Sequence, residues 1–170
     1  TNDKSDIEGF LFSPDETKVI LVKRVKIKPT TADIHPDLPL AQGFVVEDLM
    51  YKHWDEWITD APHPFIADFD GNSINEGCDM LEGTTYDCPN RPFGGTEQLA
   101  WSNDSKKIAY ACIKKSGKDY TVSTDTDIYL YDTESGETTN LCKLDAARSN
   151  YGYDTAPQFS PDGNSLAWLS

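Results

Sequence analysis

The 170 residues are enough for one domain with its own core, and the supply of four Trp, eight Tyr and seven Phe is typical of a folded chain rather than a disordered one. With 29 acidic and 15 basic residues the formal charge is −14, which disfavours nucleic acid and anionic membranes as partners. The charge is explained either by solubility alone or by attraction of a cationic ligand, such as a peptide amino terminus. No apolar run approaches the roughly 18 residues of a membrane helix, so we expect no membrane insertion.

The chain starts with the polar sequence TNDKSDIEGF and has no initiator Met. This start has neither the basic flank nor the apolar centre of a signal peptide. The last residues, up to Ser170, form an apolar strand pattern with no turn after it. We therefore expect the chain to be an excised piece of a longer protein.

The four cysteines have no C-x-x-C spacing, which argues against a zinc site: Cys78, Cys88, Cys112 and Cys142. Cys78 and Cys88 are close enough in sequence to form a disulfide in an oxidising compartment. Four free thiols are the alternative, and the sequence leaves the disulfide state open.

A repeated segment is the strongest signal in the sequence. Each copy has an aromatic residue, Ser, Pro or Asn, Asp, three small or polar residues and then an apolar run. The copies are FSPDETKVILV from Phe12, WSNDSKKIAYA from Trp101 and FSPDGNSLAWL from Phe159. The aromatic residue is expected to end one strand, and the Ser-Pro-Asp sequence to form a turn in which Gly163 supplies a positive φ. The pattern therefore predicts three β-hairpins.

A second type of hairpin follows the repeat. In the segment 127–142, DIYLYDTESGETTNLC, the side chains of Ile128 and Tyr129 are expected on opposite faces, with a turn at T-E-S-G. The segment 63–81 has the same design, with Asp70-Gly71 as the turn. Two successive hairpins give four antiparallel strands, which is one blade of a β-propeller.

The repeat spacing predicts the domain organisation. The copies start 89 and 58 residues apart, whereas a simple blade takes roughly 40–50 residues. We predict an all-β fold: a partial β-propeller of four-stranded antiparallel blades, with about two blades and the first hairpin of a third. The first blade covers 8–82 with an insert at about 29–57, the second covers 95–143, and the next begins at 156–170.

The insert is larger than a simple connection needs, and long loops often serve function or contact partners. Pro36 and Pro39 exclude a long helix there. The segment VVEDLMYKH that follows, 45–53, fits a short helix or a strand equally well.

The sequence contains no convincing catalytic or metal motif. The nearest match to G-x-S-x-G places Ser165 inside a repeat hairpin, and Ser73 fails in the same way. The segment 68–79 resembles a calcium loop only faintly and is better explained as a hairpin turn. The three histidines lack metal-ligand spacing: His35, His53 and His63. We therefore predict no catalytic residue, no metal and no cofactor in this segment.

One candidate for substrate binding remains, in RPFGGTEQLAW at 91–101. Gly94-Gly95 allows a close backbone approach, and Glu97 follows at the start of a strand. The inner strands of a propeller line its central channel, where a carboxylate can hold a peptide's amino group. The alternative is a solvated charge on a linker between blades.

Taken in order, DLMYKHWDEW, HPFIADFDG, RPFGGTEQLAWSNDSKKIAYAC, DIYLYDTESGETTNL and YDTAPQFSPDGNSLAWLS resemble the amino-terminal propeller of the prolyl oligopeptidase family. The sequence is most similar to the bacterial dipeptidyl-peptidase and acylaminoacyl-peptidase branch. The repeat hairpins alone are shared with periplasmic propellers of translocation systems. The W-D-E-W segment and P-F-G-G-T-E are more diagnostic.

The resemblance implies a parent serine peptidase whose propeller precedes an α/β-hydrolase domain, gates access to it and positions peptide substrates. The family's Ser, Asp and His belong to that later domain, which is absent here. The implied partners are peptides and the downstream domain, and the implied compartment is the periplasm or the exterior. The alternatives are a non-enzymatic propeller scaffold that binds proteins in the cell envelope, and a catalytically dead member of the same family.

Overall fold

The computed structural model describes residues 5–143 and 152–170, and in these residues the chain is mostly antiparallel β-sheet. The helical elements are α1 (Thr31–Ile34), a 3-10 turn (Thr96–Gln98) and α2 (Gly117–Thr121). The strands are β1 (Ile7–Phe12), β2 (Lys18–Lys26), β3 (Lys52–His53), β4 (Glu56–Trp57), β5 (Asp60–Asp68), β6 (Cys78–Asp79), β7 (Leu99–Trp101), β8 (Lys107–Cys112), β9 (Asp127–Asp132), β10 (Thr138–Asn140), β11 (Thr155–Phe159) and β12 (Leu166–Leu169). None of these helices has the length and apolar character needed to cross a bilayer.

The strands form two four-stranded antiparallel sheets, with orders β1-β2-β5-β6 and β10-β9-β8-β7. A third hairpin, β11-β12, follows the second sheet, and β3-β4 form a small hairpin of their own. The prediction of an all-β, antiparallel fold is confirmed. The described residues do not form a closed propeller, so the assignment of blades and their boundaries stays a prediction.

The three repeat copies form the predicted hairpins, and the aromatic residue of each copy ends its strand: Phe12, Trp101 and Phe159. In the first copy the Ser13 hydroxyl donates to Asp15 Oδ1 at 2.7 Å and accepts the Lys18 N–H at 3.0 Å. The same pair of bonds recurs in the second copy and in the third. These local bonds satisfy the turn without tertiary help, which is why the sequence pattern alone identifies the hairpins.

The hydrogen bonds to Asp15 lower the pKa of its carboxyl to about 2, chiefly through the Ser13 hydroxyl. The pKa of Asp162 is lowered to about 2 in the same way by the Ser160 hydroxyl. Both carboxylates are therefore ionised acceptors at neutral pH, as the turn requires.

The two other predicted turns are also present. The Asp70 carboxylate accepts the N–H groups of Asn72 and Ser73 at 2.9 and 2.7 Å, and Gly71 has a φ of 90°. This hairpin confirms the turn interpretation of the segment that resembled a calcium loop. Between β9 and β10, Gly136 has a φ of 73° in the predicted T-E-S-G turn.

Strands β2 and β5 pair along nine residues, although 33 residues separate them in sequence. The intervening chain contains α1 and the β3-β4 hairpin. Helix α1 ends at Ile34, before Pro36, in agreement with the predicted helix limit. The segment 45–53 is neither a helix nor a continuous strand, because only Lys52 and His53 join a ladder.

The core lies between the facing sides of the two sheets. Ile20 and Val22 of β2 pack in one cluster with Ile108, Tyr110 and Tyr129 of the second sheet. A separate cluster joins the second sheet to the β11-β12 hairpin, where Ile128 packs near Trp168. Ile128 and Tyr129 thus contact different layers, as the predicted alternation of β9 requires. Each layer packs on its neighbour in sequence, an arrangement typical of repeat architectures.

The turn geometry generates a test of stability. Glu16 has a φ of 56° at the position where the third copy has Gly163 with a φ of 73°. Replacing Glu16 by Gly removes the strain of a left-handed side chain, but it also adds backbone freedom to the unfolded chain. We expect Glu16→Gly to raise the free energy of unfolding by about 0.5 kcal/mol, measured by chemical denaturation.

Glu16→Ala is the matched control, because Ala keeps the Cβ and therefore the strain. It should change the free energy of unfolding little, since Glu16 is exposed. A loss of stability in the Gly variant would contradict the turn geometry.

Candidate functional site

Glu97, the predicted substrate-binding residue, lies in the 3-10 turn immediately before β7. We predicted it at the start of a strand. The structure differs because Gly95 accepts the Gln98 N–H at 3.0 Å, which closes a turn before the strand begins. The Glu97 side chain is exposed, and its Oε1 accepts the Gly95 N–H at 2.8 Å. That bond orients the carboxylate, while the other oxygen has further acceptor capacity.

An open groove of about 360 Å³ borders Glu97, and we call it the Glu97 groove. It lies where the first strands of the three repeat hairpins, β1, β7 and β11, come together. Its main lining residues are Leu11, Phe12, Glu97, Trp101, Ala156 and Pro157. Among the described residues that line the groove, Glu97 is the only charged one. A carboxylate beside apolar walls has the chemistry to bind an ammonium group next to uncharged side chains.

The loop before Glu97 is built from close backbone contacts. A Cβ on Gly94 would lie 2.8 Å from the Asn90 backbone nitrogen, and a Cβ on Gly95 would lie 2.7 Å from Glu97 Oε2. A Cβ at Gly94 would therefore clash with fixed backbone, whereas a Cβ at Gly95 would require the Glu97 side chain to move. Gly95 in particular leaves the space that the Glu97 carboxylate occupies.

Two buried amides, which the sequence analysis did not identify, fix this loop to the second sheet. Gln98 Oε1 accepts the Asn90 N–H at 2.7 Å, and Asn90 Oδ1 accepts the Ile113 N–H at 3.1 Å. Asn90 also donates to the Ala111 carbonyl at 3.3 Å. Burying an amide without hydrogen-bond partners costs free energy. The network therefore favours the one loop conformation in which both amides are bonded.

Arg91, also missed from the sequence, joins the loop to the first sheet and to the insert. Its guanidinium donates to the Asp60 carbonyl and lies 3.8 Å from the Asp87 carboxylate and 3.9 Å from the Glu56 carboxylate. Burial raises the pKa of Asp87. The hydrogen bond that its carboxylate accepts from the Arg91 N–H lowers the pKa but does not outweigh burial. Tyr120 of α2 donates to the same carboxylate at 3.0 Å.

The two serines considered as nucleophiles lie in hairpin turns. The Ser165 N–H donates to Ser160 Oγ at 3.0 Å, and the Ser73 hydroxyl donates to Asp70 at 2.9 Å. Among the described residues, neither serine is hydrogen-bonded to a histidine. Their bonds are those of the turns themselves.

The three histidines lie in different surroundings. His63 is buried, with Nδ1 2.8 Å from an Asp79 carboxylate oxygen. His53 stacks on Trp54 with ring centroids 6.0 Å apart. His35 follows α1 and is exposed.

Asp127, Cys142 and Asp154 bring their ligand atoms within 4.8 Å of one another, a spacing that could hold a metal. Each has protein partners in the described residues: Lys143 Nζ lies 2.9 Å from Asp127, and Cys142 Sγ lies 3.2 Å from Asp154. Burial raises the pKa of Cys142 to about 11, so its sulfur is a thiol at neutral pH. The three side chains therefore already have partners within the protein, and the prediction of a metal-free segment stays a prediction.

Cys78 and Cys88 are free thiols, so the disulfide considered between them from the sequence is absent. Cys78 is exposed on β6, whereas Cys88 is buried in the core between the sheets together with Cys112. Burial raises the pKa of the Cys88 and Cys112 thiols well above the usual range.

The fold and the groove thus define a mostly antiparallel β protein with repeated hairpins and one carboxylate at an apolar groove. The sequence is 49% identical over 164 residues to dipeptidyl-peptidase 5 of Porphyromonas gingivalis, and 43% identical over 164 residues to dipeptidyl-peptidase 5 of Porphyromonas endodontalis. Each match covers 96% of this chain and 23% of the relative. The resemblance to dipeptidyl-peptidases is confirmed: the chain is homologous to one segment of them, consistent with the predicted amino-terminal position.

The other two comparisons add little. No family model matches the chain. The structure is similar to the crystal structure of TolB from Acinetobacter baumannii with a TM-score of 0.44 and 14% identity, covering 98% of this chain and 27% of that chain.

The burial of the cysteines leads to a test of thiol reactivity. In the native protein under non-reducing conditions, we expect Cys78 to react rapidly with a chromogenic aromatic disulfide reagent. The other three thiols should react only on unfolding, because burial both blocks access and disfavours the thiolate. The unfolded chain should release four equivalents of the coloured aromatic thiol per chain, one for each cysteine.

Cys78→Ser is the control and should abolish the fast phase. Fewer than four reactive thiols in the unfolded, unreduced chain would mean that a disulfide forms in the protein.

Proposed function

We propose that this chain is the non-catalytic propeller portion of a serine exopeptidase in the prolyl oligopeptidase family, of dipeptidyl- or acylaminoacyl-peptidase type. In this proposal it gates and positions peptide substrates for a downstream α/β-hydrolase domain of the same polypeptide. That domain carries out acyl transfer through a serine nucleophile. The parent enzyme acts in the periplasm or outside the cell.

The observation that carries the proposal is the 49% identity to a dipeptidyl-peptidase across 96% of this chain. The chain spans less than a quarter of that relative, so the activity of the whole protein is inferred through homology. The repeated four-stranded sheets support the propeller assignment, because each blade of a propeller is a four-stranded antiparallel sheet.

Within this function, Glu97 binds the amino group of the peptide substrate. Three features support this role: the carboxylate is exposed, it borders a groove with apolar walls, and the Gly95 N–H orients it. An ammonium group would form a charge-assisted hydrogen bond with it. The formal charge of −14 favours the approach of cationic peptides over anionic ones.

The peptidase assignment is tested by labelling the full-length parent with a fluorophosphonate probe, which reacts covalently with an activated serine and releases fluoride. This 170-residue chain is the control. We expect the parent to be labelled and the segment to remain unlabelled, because the nucleophile lies in the missing domain. A folded parent that is not labelled would point to a protein-binding scaffold or to a catalytically dead relative.

The role of Glu97 is tested by the Glu97→Gln variant of the parent. We expect KM for peptides with a free amino terminus to rise about tenfold while kcat changes little, because a charge-assisted hydrogen bond is worth about 1.5–3 kcal/mol. Steady-state kinetics on a dipeptide-releasing substrate measures both constants.

Glu137→Gln is the matched control, since Glu137 is an exposed residue of the β9–β10 turn, away from the groove. Equal effects of the two substitutions would show that Glu97 acts only through the net charge. An unchanged KM in Glu97→Gln would contradict the proposal that Glu97 contacts the substrate.

A further inference from the structure

The insert, residues 29–57, contains most of the large hydrophobic residues that are exposed in the described part of the chain. Of the seventeen large hydrophobic residues that are exposed in the described part of the chain, ten lie in it. They are Ile34, Leu38, Leu40, Phe44, Val45, Val46, Leu49, Tyr51, Trp54 and Trp57. Single exposed apolar residues are normal on a protein surface, but a concentration of this kind marks an interaction site.

Residues near the carboxyl end of the insert are bonded to the chain that flanks the insert on either side. Lys28 Nζ donates to the Met50 carbonyl at 3.1 Å, and the Ile58 N–H donates to the Tyr51 carbonyl at 2.9 Å. The contact of Glu56 with Arg91 ties the β3-β4 hairpin to the loop before Glu97. These contacts hold residues 50–56 of the insert in place.

Six of these ten side chains line an open cavity of about 880 Å³: Ile34, Phe44, Val45, Val46, Tyr51 and Trp57. Its walls are α1, the segment 41–48 and Trp57. Phe44 stacks on Trp57 with ring centroids 3.9 Å apart and an interplanar angle of 11°, so the aromatic wall is already ordered. Protein interiors are close-packed, and a space of this size between apolar walls is suited to side chains from elsewhere.

We propose that the insert is a docking site for an apolar segment of the same parent polypeptide that lies outside these 170 residues. Most of the length of the dipeptidyl-peptidase relatives falls outside the match, so ample chain exists to supply it. A tethered segment also reaches a high effective concentration at the site, in the millimolar range for short flexible links, which favours it over a second copy.

The charges at the cavity narrow the chemistry of the segment. Glu47 and Asp48 line the cavity with one cation, Lys28, whose Nζ is already bonded to Met50. A segment that carries a lysine or arginine beside its apolar residues complements this lining. The proposal rests on the proposed function in one respect, namely that the chain is part of a longer polypeptide.

The test uses the full-length parent with the photoreactive residue p-benzoylphenylalanine in place of Val45. A second variant carries it in place of Val46, so that a folding defect at one position does not decide the result. The matched control carries it in place of Val122, which is also an exposed valine but lies outside the insert. After irradiation, gel mobility separates cross-links within one chain from those between two copies, and peptide mass spectrometry maps the linked residues.

We expect links from position 45 or 46 to residues outside this segment, at the mass of one chain, and several-fold fewer from position 122. Links between two copies would overturn the proposal in favour of self-association. No link from either position, or equal linking from position 122, would also overturn it.

Fluorophosphonate labelling of the same variants separates this proposal from the proposed function. A parent that cross-links as expected but is not labelled would remove the serine-peptidase assignment and leave the docking site intact. A labelled parent without cross-links would support the serine-peptidase assignment and remove the docking site.

Discussion

The contact between the facing sides of the two four-stranded sheets is the interaction on which the other features depend. It buries Ile20 and Val22 of one sheet against Ile108 and Tyr110 of the other. Two polar bonds cross the same interface: Trp101 Nε1 donates to the Leu11 carbonyl at 3.1 Å, and the Asp15 N–H donates to Ser105 Oγ at 3.2 Å. The apolar faces supply the driving force, and the polar bonds fix the relative position of the sheets.

This relative position creates the Glu97 groove. The groove needs β1 and β7 side by side, because Leu11 and Trp101 lie on its walls while Glu97 lies on the turn before β7. The β11-β12 hairpin completes it, and the Asn103 amide bonds that hairpin's turn through the Pro161 carbonyl at 2.7 Å. The candidate site is thus a product of three successive repeats, and none of them contains it alone.

The loop before Glu97 couples the groove to the insert. Asn90 and Gln98 bond each other in the interior, which positions the turn that carries Glu97. Arg91, next in sequence to Asn90, contacts Asp60 of the first sheet and Glu56 of the insert. A segment docked on the insert would therefore be connected, through one short loop, to the residue proposed to bind the substrate.

The sequence by itself determined the hairpins, their turns and the antiparallel all-β class. Those features depend on local interactions, such as the hydrogen bond from the Ser13 hydroxyl to Asp15, and on local backbone conformation, such as the positive φ of Gly163. The homology to peptidases could also be recognised from local motifs. The roles of Asn90, Arg91 and Gln98 could not, because their partners lie in other elements and become neighbours only when the sheets pack. The same holds for the cysteines, since closeness in sequence suggested Cys78 with Cys88, whereas burial between the sheets placed Cys88 in the core with Cys112. Tertiary packing alone decided which residues border the Glu97 groove, because the groove forms between segments far apart in the chain.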